Sequence, residues 1–78
     1  MGANLAKATL DGADLLETSL RNANLSDANL RESSLVETTL RGAGLVVANL
    51  RHADLEGANL IRADLTRADA VLGGFART

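Results

Sequence analysis

The side chains able to do chemistry in this 78-residue chain are few and scattered. Cysteine is absent, which excludes disulfides, thiolate nucleophiles and thiolate metal sites. A single histidine, His52, has no second histidine with which to hold a metal. It reads as a solvated residue near Glu32. The ten carboxylates fall singly between apolar positions, never as the converging pair that general acid–base work requires. Thr18, Ser19, Ser33, Ser34, Thr38 and Thr39 recur in a regular frame, which suits hydrogen bonds to backbone better than nucleophilic attack. Asn24-Leu25-Ser26 has the form of a glycosylation acceptor but sits inside that frame. No catalytic, cofactor-binding or metal-ligating residue is assigned, and no enzymatic activity is expected.

The frame itself is the strongest signal. Leucine stands at 5, 10, 15, 20, 25, 30, 35, 40, 45, 50, 55, 60 and 65, thirteen hits at a spacing of five. Only Leu16 and Leu72 are out of phase; Ala70 and Phe75 take the next two in-phase places. Two residues before each leucine the side chain is small, usually alanine, with Thr18, Ser33, Thr38 and Gly73 as exceptions. Between them lies a polar residue such as Asn4, Asp14, Asn24, Asn49 or Asp64. The unit is Ala-[Asn/Asp]-Leu-x-x, and searching for such repeats takes precedence over any local reading.

A period of five suits neither regular element. On a helix each step of five turns the side chain by about 140°, so the leucines would form no stripe. On a flat strand an odd spacing sends successive leucines to opposite faces. The conflict disappears if the chain turns a corner in every unit. Alanine and leucine then share an inner face, the residue between them points out, and the last two residues make the turn. Coils would stack at about 4.8 Å through backbone hydrogen bonds. The similarity of Leu15-Leu16-Glu17-Thr18-Ser19-Leu20-Arg21 to Leu35-Val36-Glu37-Thr38-Thr39-Leu40-Arg41 favours four units per coil. An offset of fifteen also produces matches, Glu17 with Glu32 and Thr18 with Ser33.

Ala3-Asn4-Leu5, Ala23-Asn24-Leu25-Ser26, Ala53-Asp54-Leu55, Ala58-Asn59-Leu60 and Ala63-Asp64-Leu65 resemble the pentapeptide-repeat family. The resemblance implies an all-β, right-handed quadrilateral parallel β-helix, here of about four coils, with leucine and the preceding small residue lining the core. Residues 1–78 are expected to form one domain, with repeats over 3–72 and a C-terminal cap or tail over 73–78. Phe75 is a candidate cap or dimer contact, because an open solenoid end exposes core and unpaired backbone.

With four sides, residues twenty apart stack in columns. Lys7 would lie against Asp27 and Asp11 against Arg31, while Glu17/Glu37, Arg21/Arg41 and Arg31/Arg51 stack like charges. Leu16 and Val36 form an exposed apolar ladder beside the glutamates. Leu16, Val36, Glu17, Glu37, Arg21 and Arg41 are therefore the candidate interaction surface. Val46-Val47 is a second apolar corner. The formal net charge of −2 gives no electrostatic reason to expect nucleic acid as a direct partner. No apolar run of 18 residues exists to span a membrane, and Met1-Gly2-Ala3-Asn4-Leu5-Ala6 does not begin a signal peptide, so the expected compartment is the cytoplasm. The expected function is a non-catalytic structural or protein–protein interaction module, without cofactor, its partner an unidentified protein or a second copy docked through an end coil. The alternative that the resemblance offers is a DNA mimic that binds DNA gyrase and protects it from quinolones. A consensus-like designed solenoid fits the repeat fidelity but not the irregular outer residues Val46, Val47 and His52.

Overall fold

The computed structural model describes residues 2–70. Parallel bridges join residues twenty apart throughout, from Asn4 with Asn24 and Thr9 with Asn29 to Gly44 with Asp64 and Asn49 with Asp69. An offset of twenty is four units of five. The square coil is thereby chosen over the triangular one that the offset of fifteen had left open. The first side carries Leu5, Leu25, Leu45 and Leu65; the second Leu10, Leu30 and Leu50; the third Leu15, Leu35 and Leu55; the fourth Leu20, Leu40 and Leu60.

The unit formed by residues 23–27 shows why five residues suffice. The N–H of Asn24 donates to Ala3 O at 2.8 Å in one neighbouring coil. Those of Leu25 and Asp27 donate to Gly44 O at 2.7 Å and Val46 O at 2.9 Å in the other. The Ala23 N–H closes the preceding turn onto Leu20 O at 3.0 Å. The fifth donor, Ser26 N–H, goes to Asn24 Oδ1 at 3.0 Å. Every N–H of the unit is thus paired, as buried backbone requires.

That fifth bond accounts for the Asn/Asp preference at the middle position. The same contact joins Asn29 to Arg31, Asn49 to Arg51, Asp54 to Glu56 and Asn59 to Ile61. The middle residue points outward, yet its short carbonyl arm reaches back to the turn. In each turn the residue two after leucine has positive φ, from Lys7 at 63° to Arg67 at 59°, with glycine at 12, 42 and 57. A positive φ there, with the hydrogen bond from the next alanine N–H to the leucine carbonyl, is the type II pattern.

Inside, Leu25, Leu30, Leu35, Leu40 and Leu45 are fully buried, with Ala23, Ala28, Ala43, Ala48 and Ala53 beside them. Leucine and alanine suit this narrow axis because large and small side chains alternate without voids. The two buried polar residues are both satisfied: Ser33 Oγ donates to Leu30 O at 2.7 Å and Thr38 Oγ1 to Leu15 O at 2.6 Å. Both were expected to serve backbone, and they do so within the alanine column. Phe75 and the cap over 73–78 lie outside the described residues.

Candidate interaction surface

The six residues singled out from the sequence fall on one side of the coil. Leu16, Glu17, Val36 and Glu37 occupy the corner where the chain enters the fourth side; Arg21 and Arg41 occupy the corner where it leaves. The next coil adds Glu56 and Gly57 at the entry corner and Ile61 and Arg62 at the exit corner. Between the two corners runs a column of short uncharged residues, Ser19, Thr39 and Asn59, bridged Ser19 to Thr39 and Thr39 to Asn59. The turns hold these side chains outward because each corner is bonded both along the chain and to the adjacent coils.

Leu16 is 52% exposed, whereas Val36 is half-buried, so the apolar ladder narrows after its first rung and ends at Glu56. Ile61, 55% exposed on the opposite corner, continues a column whose two earlier rungs, Arg21 and Arg41, are charged, so that column gave no apolar signal. Val46 is half-buried and Val47 exposed, one corner further on. Exposed apolar residues are therefore dispersed over several corners rather than joined in one patch.

Among the described residues the ion pair within 4.0 Å is Arg51 with Asp69, at 3.3 Å between half-exposed partners. It runs diagonally, eighteen residues apart, from a corner to the middle of the second side. Lys7 with Asp27 and Asp11 with Arg31 share columns as expected, but neither pair closes to 4.0 Å. Such surface pairs contribute about 0–1 kcal/mol, which does not outweigh the freedom of long side chains. Among the described residues, Glu17, Glu37, Glu56, Arg21, Arg41 and Arg62 form no ion pair. The Thr66 hydroxyl, and then its N–H, hold the Asp64 carboxyl below its ordinary value.

No cleft opens among the described residues, and no group of three or more His, Asp and Glu side chains is placed to hold a metal there. His52 and Glu32 lie in one column, both exposed. No helix among these residues is long and apolar enough to cross a membrane.

The twenty-residue bridging, the leucine axis and the type II corners define a quadrilateral β-solenoid. The family model for pentapeptide repeats matches residues 1–42 and 45–71 in eight copies, and the chain belongs to the pentapeptide-repeat family. Solved structures agree. A pentapeptide repeat protein from the thylakoid lumen of Arabidopsis thaliana superposes with a TM-score of 0.87 at 24% identity, over 100% of this chain and 58% of that one. The pentapeptide repeat protein Rfr23 from the cyanobacterium Cyanothece 51142 does so at 0.78 and 35% identity, over 91% and 53%. One from Nostoc PCC 7120 has a TM-score of 0.53 at 40% identity, over 87% and 60%. Their common fold is a right-handed quadrilateral β-helix. The chain spans between about half and three-fifths of these relatives' length. No curated protein matches it.

Proposed function

We propose that this chain is a non-catalytic interaction module, a solenoid of about four coils that presents its fourth side to a protein partner. The reading is supported chiefly by the division of charge on that side: glutamates along one edge, arginines along the other, none of them paired with another described residue. A core filled by leucine and alanine leaves the surface as the place where function is carried. The proposal includes the cytoplasm as compartment. No observation favours the DNA-mimic alternative: such a surface needs acid around the rod, and Arg21, Arg41 and Arg62 line one whole edge without an acid among them.

The test is affinity capture from a lysate of the source cell with the wild-type chain and with Glu37→Arg, whose exposed position leaves the core untouched. Binders, whether further copies or another protein, that wild type retains and Glu37→Arg loses support an interaction role for this side. Identical sets of captured proteins would remove it.

A further inference from the structure

The fourth side has an internal order that its column description conceals. Each coil contributes one row across it. The first row has Glu17 at the entry corner and Arg21 at the exit; the second has Glu37 and Arg41; the third has Glu56 and Arg62. Every row therefore carries one acid on the same edge and one arginine on the other. No base stands at the entry corner and no acid at the exit corner in these three rows. Three residues lie between acid and arginine in the first two rows, about 13 Å if extended, and five in the third, and rows follow at about 4.8 Å. The column between them, Ser19, Thr39 and Asn59, holds nothing long enough to keep a flat partner away.

We propose that the fourth side is a self-complementary face whose occupant is a second copy of this chain. Two faces can meet about a two-fold axis lying in their plane. An axis across the stack would set each edge against itself, glutamate on glutamate and arginine on arginine, which is repulsive. An axis along the stack, over the Ser19–Thr39–Asn59 column, sets the acidic edge against the basic edge at equal height. Glu17 then faces the second copy's Arg21, Glu37 its Arg41 and Glu56 its Arg62, each twice by symmetry. Leu16 and Ile61 lie at the margins of the same face, on opposite edges and at opposite heights, where each adds apolar area beside a charged pair. The contact is small, well under the roughly 800 Å² per partner of a standard interface, so the dimer is weak and exchanges rapidly. Its orientation is parallel and side by side, unlike docking through an end coil.

This inference rests on the interaction role proposed above, and its test separates the two. Sedimentation velocity of the chain from about 10 μM to 1 mM should show concentration-dependent dimerisation at 20 mM salt that disappears at 0.5 M, where the Debye length falls to about 4 Å. Glu37→Arg alone, or Arg41→Glu alone, should weaken the dimer about tenfold. The double reversal Glu37→Arg/Arg41→Glu should restore it, because the rows again pair acid with base. Thr39→Cys, in a chain with no native cysteine, should form a disulfide dimer on the axis under mild oxidation, whereas Thr9→Cys on the second side should not. A chain that stays monomeric at 1 mM and low salt overturns self-association; if capture of another protein is still lost in Glu37→Arg, the interaction role stands without it. Dimerisation unaffected by either single reversal, failure of the double reversal to restore it, or equal cross-linking at 39 and 9 overturns the proposed face.

Discussion

At the scale of single residues, an asparagine or aspartate at the middle position, as at Asn24, has two tasks, one for its backbone and one for its side chain. Its backbone makes the bridge to the adjacent coils, and its side-chain oxygen accepts the N–H of the residue that opens the turn. Gly44, like Thr9, Ser19, Ser34 and Thr39, performs only the first. It bridges Asn24 and Asp64, both of which make the side-chain bond, to Ser26 and Thr66 respectively. A Cβ built on Gly44 meets nothing within 4 Å, and its φ is not in the left-handed region. Gly44→Asn should therefore supply the missing acceptor for Val46 N–H and reduce the freedom of the unfolded chain at once. Each effect contributes about 0.5–1 kcal/mol, and a gain of about 1 kcal/mol raises the melting midpoint of a domain this size by about 4–8 °C. Thermal unfolding followed by circular dichroism measures this; an unchanged or lowered midpoint would show that the side-chain acceptor contributes nothing to the corner.

At the scale of the repeating element, the corner imposes a constraint that the outer residues conceal. The second turn residue has φ near +60° in every described unit, yet Lys7, Glu17, Glu32, His52 and Arg67 serve there as well as glycine does. For an L residue this region costs about 1–2 kcal/mol, least for asparagine and aspartate and most for β-branched side chains. Val47, at φ 62° and 47% exposed, carries the strain with little burial in return. Val47→Asn should stabilise the fold by about 1 kcal/mol. Val36→Asn, one position earlier in its turn, half-buried and without positive φ, should not stabilise it. Urea midpoints at unchanged slope distinguish the two, and a Val47→Asn chain no more stable than Val36→Asn would refute the strain. The leucine spacing was legible because it has one spatial solution, a bend in every unit. The left-handed corner was not, because ten non-glycine side chains of every character occupy it and only Gly12, Gly42 and Gly57 advertise it. The candidate surface was legible once columns of twenty were drawn, since Glu17, Glu37, Arg21 and Arg41 share those columns. The Arg51–Asp69 pair was missed because it crosses columns, and Lys7–Asp27 was anticipated too readily because a shared column does not bring flexible side chains together.

At the scale of the whole molecule, the stack is bonded across its coils rather than along them. Apart from the turn closures, its backbone hydrogen bonds join residues about one coil apart: Leu5 N–H donates to Asn24 O, and Asn49 N–H to Ala28 O. No coil has a structure of its own without a neighbour, which makes the interior coils more critical than those at the margins. Leu40 lies in the fourth-side core column between Leu20 and Leu60 and is fully buried. An aspartate there meets walls of leucine and alanine, the buried hydroxyl of the same unit, Thr38, already donates to Leu15 O, and an isolated carboxylate costs several kcal/mol even after its pKa has risen to neutralise it. That is comparable to the total stability of about 4–12 kcal/mol expected for a chain of this length. The substitution also divides the stack into pieces of one or two coils, each exposing its leucines. Leu40→Asp should therefore abolish cooperative unfolding altogether. Leu10→Asp alters a half-buried position in the first described coil, where the carboxylate can reach water and the coils beyond it remain stacked. It should lower the midpoint while leaving a folded remainder. Circular dichroism, with amide exchange at Leu45 and Leu50, compares the two variants directly. A Leu40→Asp chain that melts cooperatively with protected amides at those positions would mean that the fourth-side core holds a carboxylate without losing the stack.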